Sequence, residues 1–99
     1  TDTGVWDDVI QMQAQNQYTL VKRESGQELI RTSLADMVKQ VPANLGFRIH
    51  RSYWLRADQI SEATYQNGNA KVVTVSGATL PLSRSMVSEI KTHLVARNI

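Results

Sequence analysis

Apolar and polar residues alternate in the first third of the chain in a way that predicts β-structure. Residues 9–14 alternate in part, as a half-buried strand does. Polar residues at 15–17 interrupt the pattern, and Tyr18 to Arg23 makes a second strand candidate. Because Ser25-Gly26 is typical of a hairpin turn, we expect Glu28 to Arg31 to return antiparallel.

The periodicity then changes from strand to helix. Ser33 and Asp36 have the spacing of a capping box, in which the serine accepts from a first-turn amide. The apolar residues that share one helical face are Leu34, Met37, Val38 and Val41. Pro42 predicts the end of this helix, since it disfavours helical geometry in the residue before it.

The second half predicts more strands and one more helix. Phe47 to Leu55 is a strand or extended segment, and Ile60 to Tyr65 is a strand candidate. Asn67-Gly68-Asn69 is a strong hairpin signal because Asn and Gly tolerate positive φ, so Lys71 to Val75 returns.

After a turn at Ser76-Gly77 and the short extended pair Thr79-Leu80, apolar residues three or four apart predict a last helix from about Ser85. Ser83 or Ser85 is placed to cap it. Together these elements predict an α+β domain that is predominantly antiparallel β, with about six strands and two short helices.

Composition limits the class of protein. A chain of 99 residues with 41% hydrophobic and 20% charged residues predicts one folded domain over residues 1–99. Cysteine is absent, which excludes disulfides and thiolate metal sites. The apolar runs are too short to span a bilayer and no signal peptide is evident. We therefore expect a cytoplasmic domain that makes no membrane contact.

Catalytic and cofactor signatures are missing from the sequence. It has no G-x-S-x-G, no phosphate-binding glycine loop and no H-E-x-x-H. His50 and His93 lie far apart, without acidic residues placed to complete a metal site. We expect neither an enzyme nor a cofactor or metal.

Charge is more informative in its distribution than in its total. The net charge of +2 does not by itself indicate a nucleic-acid binder. However, residues 48–56 hold three arginines and a histidine with no acid. From residue 63 onward four Lys and Arg residues face the single acid Glu89. On charge alone, an ordinary solvated surface is the simpler interpretation.

Two stretches carry chemistry, and the first runs from Phe47 to Leu55. In it His50, Arg51 and Ser52 are consecutive polar residues between apolar anchors. Arginine bonds bidentately to guanine or clamps a phosphate, and Ser and His add short-range donors. From the residues alone an alternative stays open, in which Arg48 and Arg51 are strand-face charges and His50 is a hydrogen-bonding residue at the core edge.

The second stretch is Leu80 to Arg84. Pro81 stiffens the approach, and Ser83-Arg84 stands at the start of the last helix. Free amides at a helix start attract anions, and a basic residue is locally unfavourable there. Such a local misfit is often found at functional positions.

These two stretches resemble the hallmarks of the LytTR DNA-binding family. They read His50-Arg51-Ser52-Tyr53 and, some thirty residues later, Pro81-Leu82-Ser83-Arg84. The resemblance covers roughly residues 5–95 in the family's order and spacing. Further matching segments are Asp8-Val9-Ile10, Asn16-Gln17-Tyr18, Arg31-Thr32-Ser33-Leu34, Arg48-Ile49 and Ile60.

The resemblance implies a mostly antiparallel β fold whose loops, and not a recognition helix, enter successive major grooves of duplex DNA. It implies the output domain of a bacterial transcription regulator, such as a response regulator of a two-component system. Promoter repeats bound by two copies, a homodimer on DNA and an upstream sensor or receiver domain are the partners it suggests. The residues it assigns to DNA contact are Asn16, Gln17, Tyr18, Thr19, His50, Arg51, Ser52, Ser83 and Arg84.

The sequence departs from the family pattern in two places. Many relatives have an extra strand before Asp8-Val9-Ile10, where only Thr1 to Trp6 is available here, so we expect an exposed sheet edge or a late start within a longer protein. Relatives often have Val-Asn where this chain has Leu55-Arg56, and we expect Arg56 to face solvent instead of contacting a phosphate. The rival hypothesis is a small β-rich protein-interaction module with a basic docking corner, and a third is RNA binding.

Overall fold

A computed structural model of the chain describes residues 6–97, which form eight strands, two α-helices and two 3-10 turns. The strands are β1 Val9–Gln15, β2 Tyr18–Arg23, β3 Gly26–Ile30, β4 Gly46–His50, β5 Tyr53–Arg56, β6 Ile60–Gln66, β7 Asn69–Thr74 and β8 Thr79–Pro81. The helices are α1 Leu34–Gln40 and α2 Val87–Arg97, and the 3-10 turns are Ala57–Gln59 and Arg84–Met86. No helix within these residues is long and apolar enough to cross a bilayer.

Two antiparallel sheets organise the strands. The larger has five strands in the order β3-β2-β1-β5-β4, and the smaller has three in the order β6-β7-β8. Four of the connections between these strands are two-residue hairpin turns. One of them, Asn67-Gly68, joins β6 to β7 and has φ values of +54° and +80°. These positive values are those a tight hairpin requires, so the local prediction at this turn is confirmed.

The core has two halves, one on each side of β5. One half packs α1 against β1 and β2, and it contains Met12, Val21, Met37 and Trp54. The other half packs the three-stranded sheet and α2 against β4 and β5, and it contains Ile49, Leu55, Ile60 and Ile90. Trp54 and Leu55 are adjacent on β5, so their side chains point to opposite faces and each fills a different half.

Most predicted elements are present, and the predicted fold class is confirmed. Ser33 caps α1 by accepting from the amide of Asp36 at 3.2 Å. The single segment predicted over Phe47–Leu55 is wrong, because the chain turns at Arg51-Ser52 and forms two strands there. β1 is not an edge strand, since β2 and β5 flank it on both sides. Residues 1–5, where an earlier strand would lie, are outside the described residues.

Arg56 does not face solvent, so that expectation is wrong. Its side chain is only 12% exposed. It donates to Asp58 Oδ1 at 2.7 Å, to the carbonyl of Asp7 at 2.8 Å and to Glu24 Oε2 at 3.3 Å. These bonds tie together the start of β1, the β2–β3 turn and the 3-10 turn after β5. The Nε and Nη1 groups of Arg56 are therefore engaged within the protein.

We expect Arg56→Met to lower the free energy of unfolding by about 2 kcal/mol, because hydrogen bonds to charged groups contribute about 1.5–3 kcal/mol and the carboxylates here are solvated. Urea denaturation followed by circular dichroism measures this. Lys39→Met is the matched control, since Lys39 is 78% exposed and its loss should change stability by less than about 0.5 kcal/mol. Equal stability of the two variants would show that Arg56 is dispensable.

The acid dependence of stability follows from two carboxylates. The hydrogen bond from Arg23 at 2.8 Å holds the pKa of Asp8 below its ordinary value of 3.8. Burial raises the pKa of Asp58, but the hydrogen bond and charge of Arg56 outweigh this and the net pKa is lowered. A lowered folded-state pKa gives stability that is present above the unfolded value and is lost as pH falls through the folded value.

We therefore expect Asp8→Asn to lower the Tm at neutral pH, where the bond of Asp8 to Arg23 is intact. The difference from wild type should shrink below about pH 4 and vanish once Asp8 is protonated in both states, because the ordinary pKa is 3.8. Thermal melts at a series of pH values measure it. A Tm difference that stays constant down to the most acid pH would contradict the assigned ion pair.

Candidate nucleic-acid interface

Three segments come together at one end of the five-stranded sheet. β1 ends at the same place as β5 begins, because the two strands are antiparallel and Gln13 pairs with Tyr53. The amide of Ala14 donates to the carbonyl of Ser52 at 2.9 Å, and the amide of Ser83 donates to the carbonyl of Ile49 at 2.7 Å. The loop end, as we name it, consists of the β1–β2 turn Asn16-Gln17, the β4–β5 turn Arg51-Ser52 and the segment Ser83-Arg84.

The β1–β2 turn presents amide side chains. Gln15 pairs with Tyr18, so Asn16 and Gln17 form a two-residue turn, and Asn16 has φ +58°. Asn tolerates this left-handed conformation better than most residues do. Both turn residues and Tyr18 are exposed, which places donors and acceptors beyond the last rung of the sheet.

The β4–β5 turn is held rigidly and presents a guanidinium. An extra residue in β4 between Phe47 and His50 breaks the strand register just before the turn. Arg48 donates from Nη2 to the carbonyl of Arg51 at 3.0 Å, and the amide of Ser52 donates to His50 Nδ1 at 3.2 Å. With Nδ1 as acceptor, the ring hydrogen of neutral His50 is on Nε2. The Arg51 side chain is exposed.

The third segment leads into the last helix. Leu82 is buried and its amide donates to the carbonyl of Ala70 at 3.1 Å, which anchors the segment to the small sheet. Arg84 begins the 3-10 turn and is exposed. Its guanidinium carbon lies 5.6 Å from the centroid of the Tyr65 ring. This contact is within the range of a cation–π interaction.

Charge is distributed unequally between the two ends of the sheet. The three loop-end segments hold arginines and no carboxylate. At the opposite end the carboxylates outnumber the two arginines that pair with them, Arg23 and Arg56. We call this the acidic end, and its carboxylates are Asp7, Asp8, Glu24 and Asp58. The seven residues of β1 separate the ends by roughly 20 Å.

Comparison with known proteins agrees with this geometry. The family model for the LytTr DNA-binding domain matches residues 5–95, which is nearly the whole chain. The chain belongs to the LytTr DNA-binding domain family. The resemblance that the sequence motifs indicated is therefore confirmed, and DNA is the partner that defines the family.

A solved structure supports the LytTr fold independently. The chain is similar to the LytTr DNA-binding domain of a protein described as a methyl-accepting/DNA response regulator from Bacillus cereus. The TM-score is 0.72 and the sequence identity is 22%, and the match covers 90% of this chain and 83% of that one. No curated protein is a significant match.

Most residues that the LytTr resemblance assigned to DNA contact lie at the loop end. Arg51 and Arg84 are exposed there, and His50 is half-buried beside the turn. The exposed residues of the first loop are Asn16, Gln17 and Tyr18, while Ser52 and Ser83 are half-buried and fix the backbone of their segments. The structure thus brings together the motifs that are thirty residues apart in sequence.

The structure corrects one residue assigned to DNA contact and two predictions about the last helix. Thr19 is fully buried and its hydroxyl donates to the carbonyl of Thr32 at 2.6 Å, so it is a structural residue that has no free group for DNA. Ser83 holds the N-cap position of the 3-10 turn, but its side chain makes no capping hydrogen bond. The α-helix proper begins at Val87, two residues later than predicted.

Sequence reasoning missed the roles of Arg48 and Tyr65. Tyr65 is 41% exposed and lies against Arg84. Its position at the end of a strand, just before a tight turn, was the available signal. Arg48 braces the β4–β5 turn through a backbone carbonyl, a contact that depends on the irregular register of β4 and has no sequence signature.

Proposed function

We propose that this domain binds duplex DNA in a sequence-specific manner as the output module of a bacterial transcription regulator. The loop end would face the duplex, with its three segments meeting neighbouring grooves on one side of the DNA. The observation that carries the proposal is that backbone hydrogen bonds hold the three segments side by side.

The spacing of the segments suits a duplex. Adjacent strands lie about 4.8 Å apart, so the three steps from β1 to Ser83 span about 14 Å of backbone. Long side chains at each edge extend this reach. Neighbouring grooves are centred about half a turn apart, or roughly 17 Å.

The side chains at the loop end suit both parts of DNA recognition. Arg51 and Arg84 are exposed guanidiniums that match guanine O6 and N7, or a phosphate. The amides of Asn16 and Gln17 match adenine N6 and N7. His50 would donate from Nε2. The acidic end is about 20 Å away. Because DNA phosphates would repel its carboxylates, the domain would dock with the loop end toward the duplex.

The regulatory context is part of the proposal. The Bacillus cereus protein of similar fold is described as a response regulator, which fits an output domain controlled by an upstream sensor or receiver domain. We propose that two copies of the domain bind promoter repeats side by side. Each copy would read one repeat through its own loop end.

The test is selection of a target from a random duplex library by the domain, followed by titration of the selected duplex against a scrambled one. We expect specific binding that survives competitor DNA. The logarithm of the binding constant should fall linearly with the logarithm of salt concentration, with a slope of about −0.9 for each phosphate contact. Binding to an RNA duplex of the same sequence should be much weaker.

Failure to select any sequence, and no binding even at low salt, would contradict the proposal and favour the protein-interaction module. Preference for the RNA duplex would favour RNA binding. Binding of the selected and scrambled duplexes with equal affinity would contradict sequence specificity.

A further inference from the structure

Arg84 is exposed, yet its charge is not matched by a carboxylate. Within residues 6–97, no acidic side chain lies within salt-bridge distance of its guanidinium. The recorded contact of the guanidinium is the face of the Tyr65 ring, at 5.6 Å from guanidinium carbon to centroid. An aromatic ring thus occupies the place where a protein surface often has an acid.

The difference between a ring and an acid matters for DNA binding. A carboxylate accepts two parallel hydrogen bonds from a guanidinium and so occupies its N–H edge. A tyrosine ring interacts with the guanidinium as a π face and leaves the N–H donors available for a base or phosphate. Tyr65 can therefore hold Arg84 without competing with DNA for its donors.

Strand pairing fixes the backbone that carries the ring. Tyr65 pairs with Ala70 on β7, and Gln66 pairs with Asn69 across the tight turn. Arg84, by contrast, has a long side chain with several rotatable bonds. Beside the pair, along α2, lies an open groove of about 810 Å³ whose walls include Val87 and Lys91. Without the ring, the guanidinium would have free space in which to adopt other rotamers.

We propose that Tyr65 is a positioning residue that fixes the guanidinium of Arg84 before DNA arrives. This inference rests on the proposed function, in which Arg84 contacts the duplex. Pre-organisation lowers the entropy that binding must offset, so it strengthens the specific complex through an existing contact. Tyr65 itself need not contact the DNA.

The first test uses the free domain and is independent of DNA binding. In wild type, the ring current of Tyr65 should shift the NMR signals of the Arg84 side-chain protons upfield. Tyr65→Phe should keep this shift, and Tyr65→Leu should abolish it while the melting temperature shows that both variants are folded. An Arg84 signal that is unshifted in wild type would overturn the inference, whatever the domain binds.

The second test measures affinity for the selected duplex. Tyr65→Leu should weaken specific binding about two- to fivefold, the size of an exposed cation–π contact, and Tyr65→Phe should bind like wild type. Affinity for scrambled DNA should change less. In an Arg84→Ala background the effect of Tyr65→Leu should disappear, since the ring then has nothing to position.

Each remaining outcome has a distinct meaning. If Arg84→Ala weakens binding and Tyr65→Leu does not, Tyr65 is not a positioning residue although the proposed function stands. An equal loss with Tyr65→Leu in the Arg84→Ala background would mean that Tyr65 contacts DNA directly, which also overturns the inference. If Arg84→Ala has no effect, the role of Arg84 in the proposed function is itself wrong.

Discussion

Replacing Arg51 and Arg84 together by alanine is expected to lower affinity for the selected duplex by on the order of 10²- to 10⁴-fold. Each bidentate arginine–guanine pair contributes about 1–3 kcal/mol of discrimination, and the two residues lie on separate segments of the loop end. Affinity for scrambled DNA should fall much less. Fluorescence anisotropy with both duplexes at fixed salt measures the ratio of specific to nonspecific affinity.

The matched control removes the same charge from elsewhere on the molecule. Lys39 and Lys71 are exposed and lie outside the three segments of the loop end. The double variant Lys39→Ala/Lys71→Ala should at most reduce the salt dependence of DNA affinity. It should leave the ratio of specific to nonspecific affinity unchanged. If the two double variants lose specificity equally, the effect is one of net charge and the assignment of the arginines is wrong.

Gly46→Ala is expected to lower the free energy of unfolding by about 3 kcal/mol, at the upper end of the range for overpacking. Gly46 lies on β4 where the ring of Trp54 passes across the strand. A Cβ there would lie 2.5 Å from Trp54 Cζ2 and 2.9 Å from the Cα of Arg56, and closer still to the carbonyl oxygen of Leu55. Two of these three neighbours are backbone atoms of β5, which cannot move without breaking the strand pair.

Gly68→Ala is the control for Gly46→Ala. Gly68 has open space around its Cα but has φ +80°, so alanine there should cost only about 1 kcal/mol through backbone strain. Urea denaturation of both variants gives the comparison. A Gly46→Ala variant as stable as Gly68→Ala would show that β4 and β5 can separate without loss, and the tight β4–β5 pairing would then be in doubt.

Local signals predicted the elements whose boundaries depend on local chemistry. Ser33 and Asp36 predicted the start of α1, and Asn67-Gly68 predicted the β6–β7 hairpin. Both features need only neighbouring residues for their geometry. The turn at Arg51-Ser52 carries no Gly, Pro or Asn and depends on pairing with β1, so the pattern of residues did not reveal it.

The candidate site was predicted through motifs, and the failures concern side chains with distant partners. Arg56 gains its role from Asp7 and Glu24, which precede it by 49 and 32 residues. Thr19 is buried, and its hydroxyl bonds to the carbonyl of Thr32, which is 13 residues away in the sequence. The ring of Tyr65 is useful only because the fold places Arg84 against it. Sequence spacing predicts which residues share an element, but not which elements meet.

Chemical-shift mapping tests the common docking of the three loop-end segments most directly. A ¹⁵N-labelled domain would be titrated with the selected duplex and with a scrambled duplex of equal length. We predict that the largest shifts with the selected duplex occur together at Asn16-Gln17, Arg51-Ser52 and Ser83-Arg84, while Glu24 and Asp58 at the acidic end change little. Shifts confined to one of these segments, or centred on the acidic end, would contradict a single duplex bound by all three.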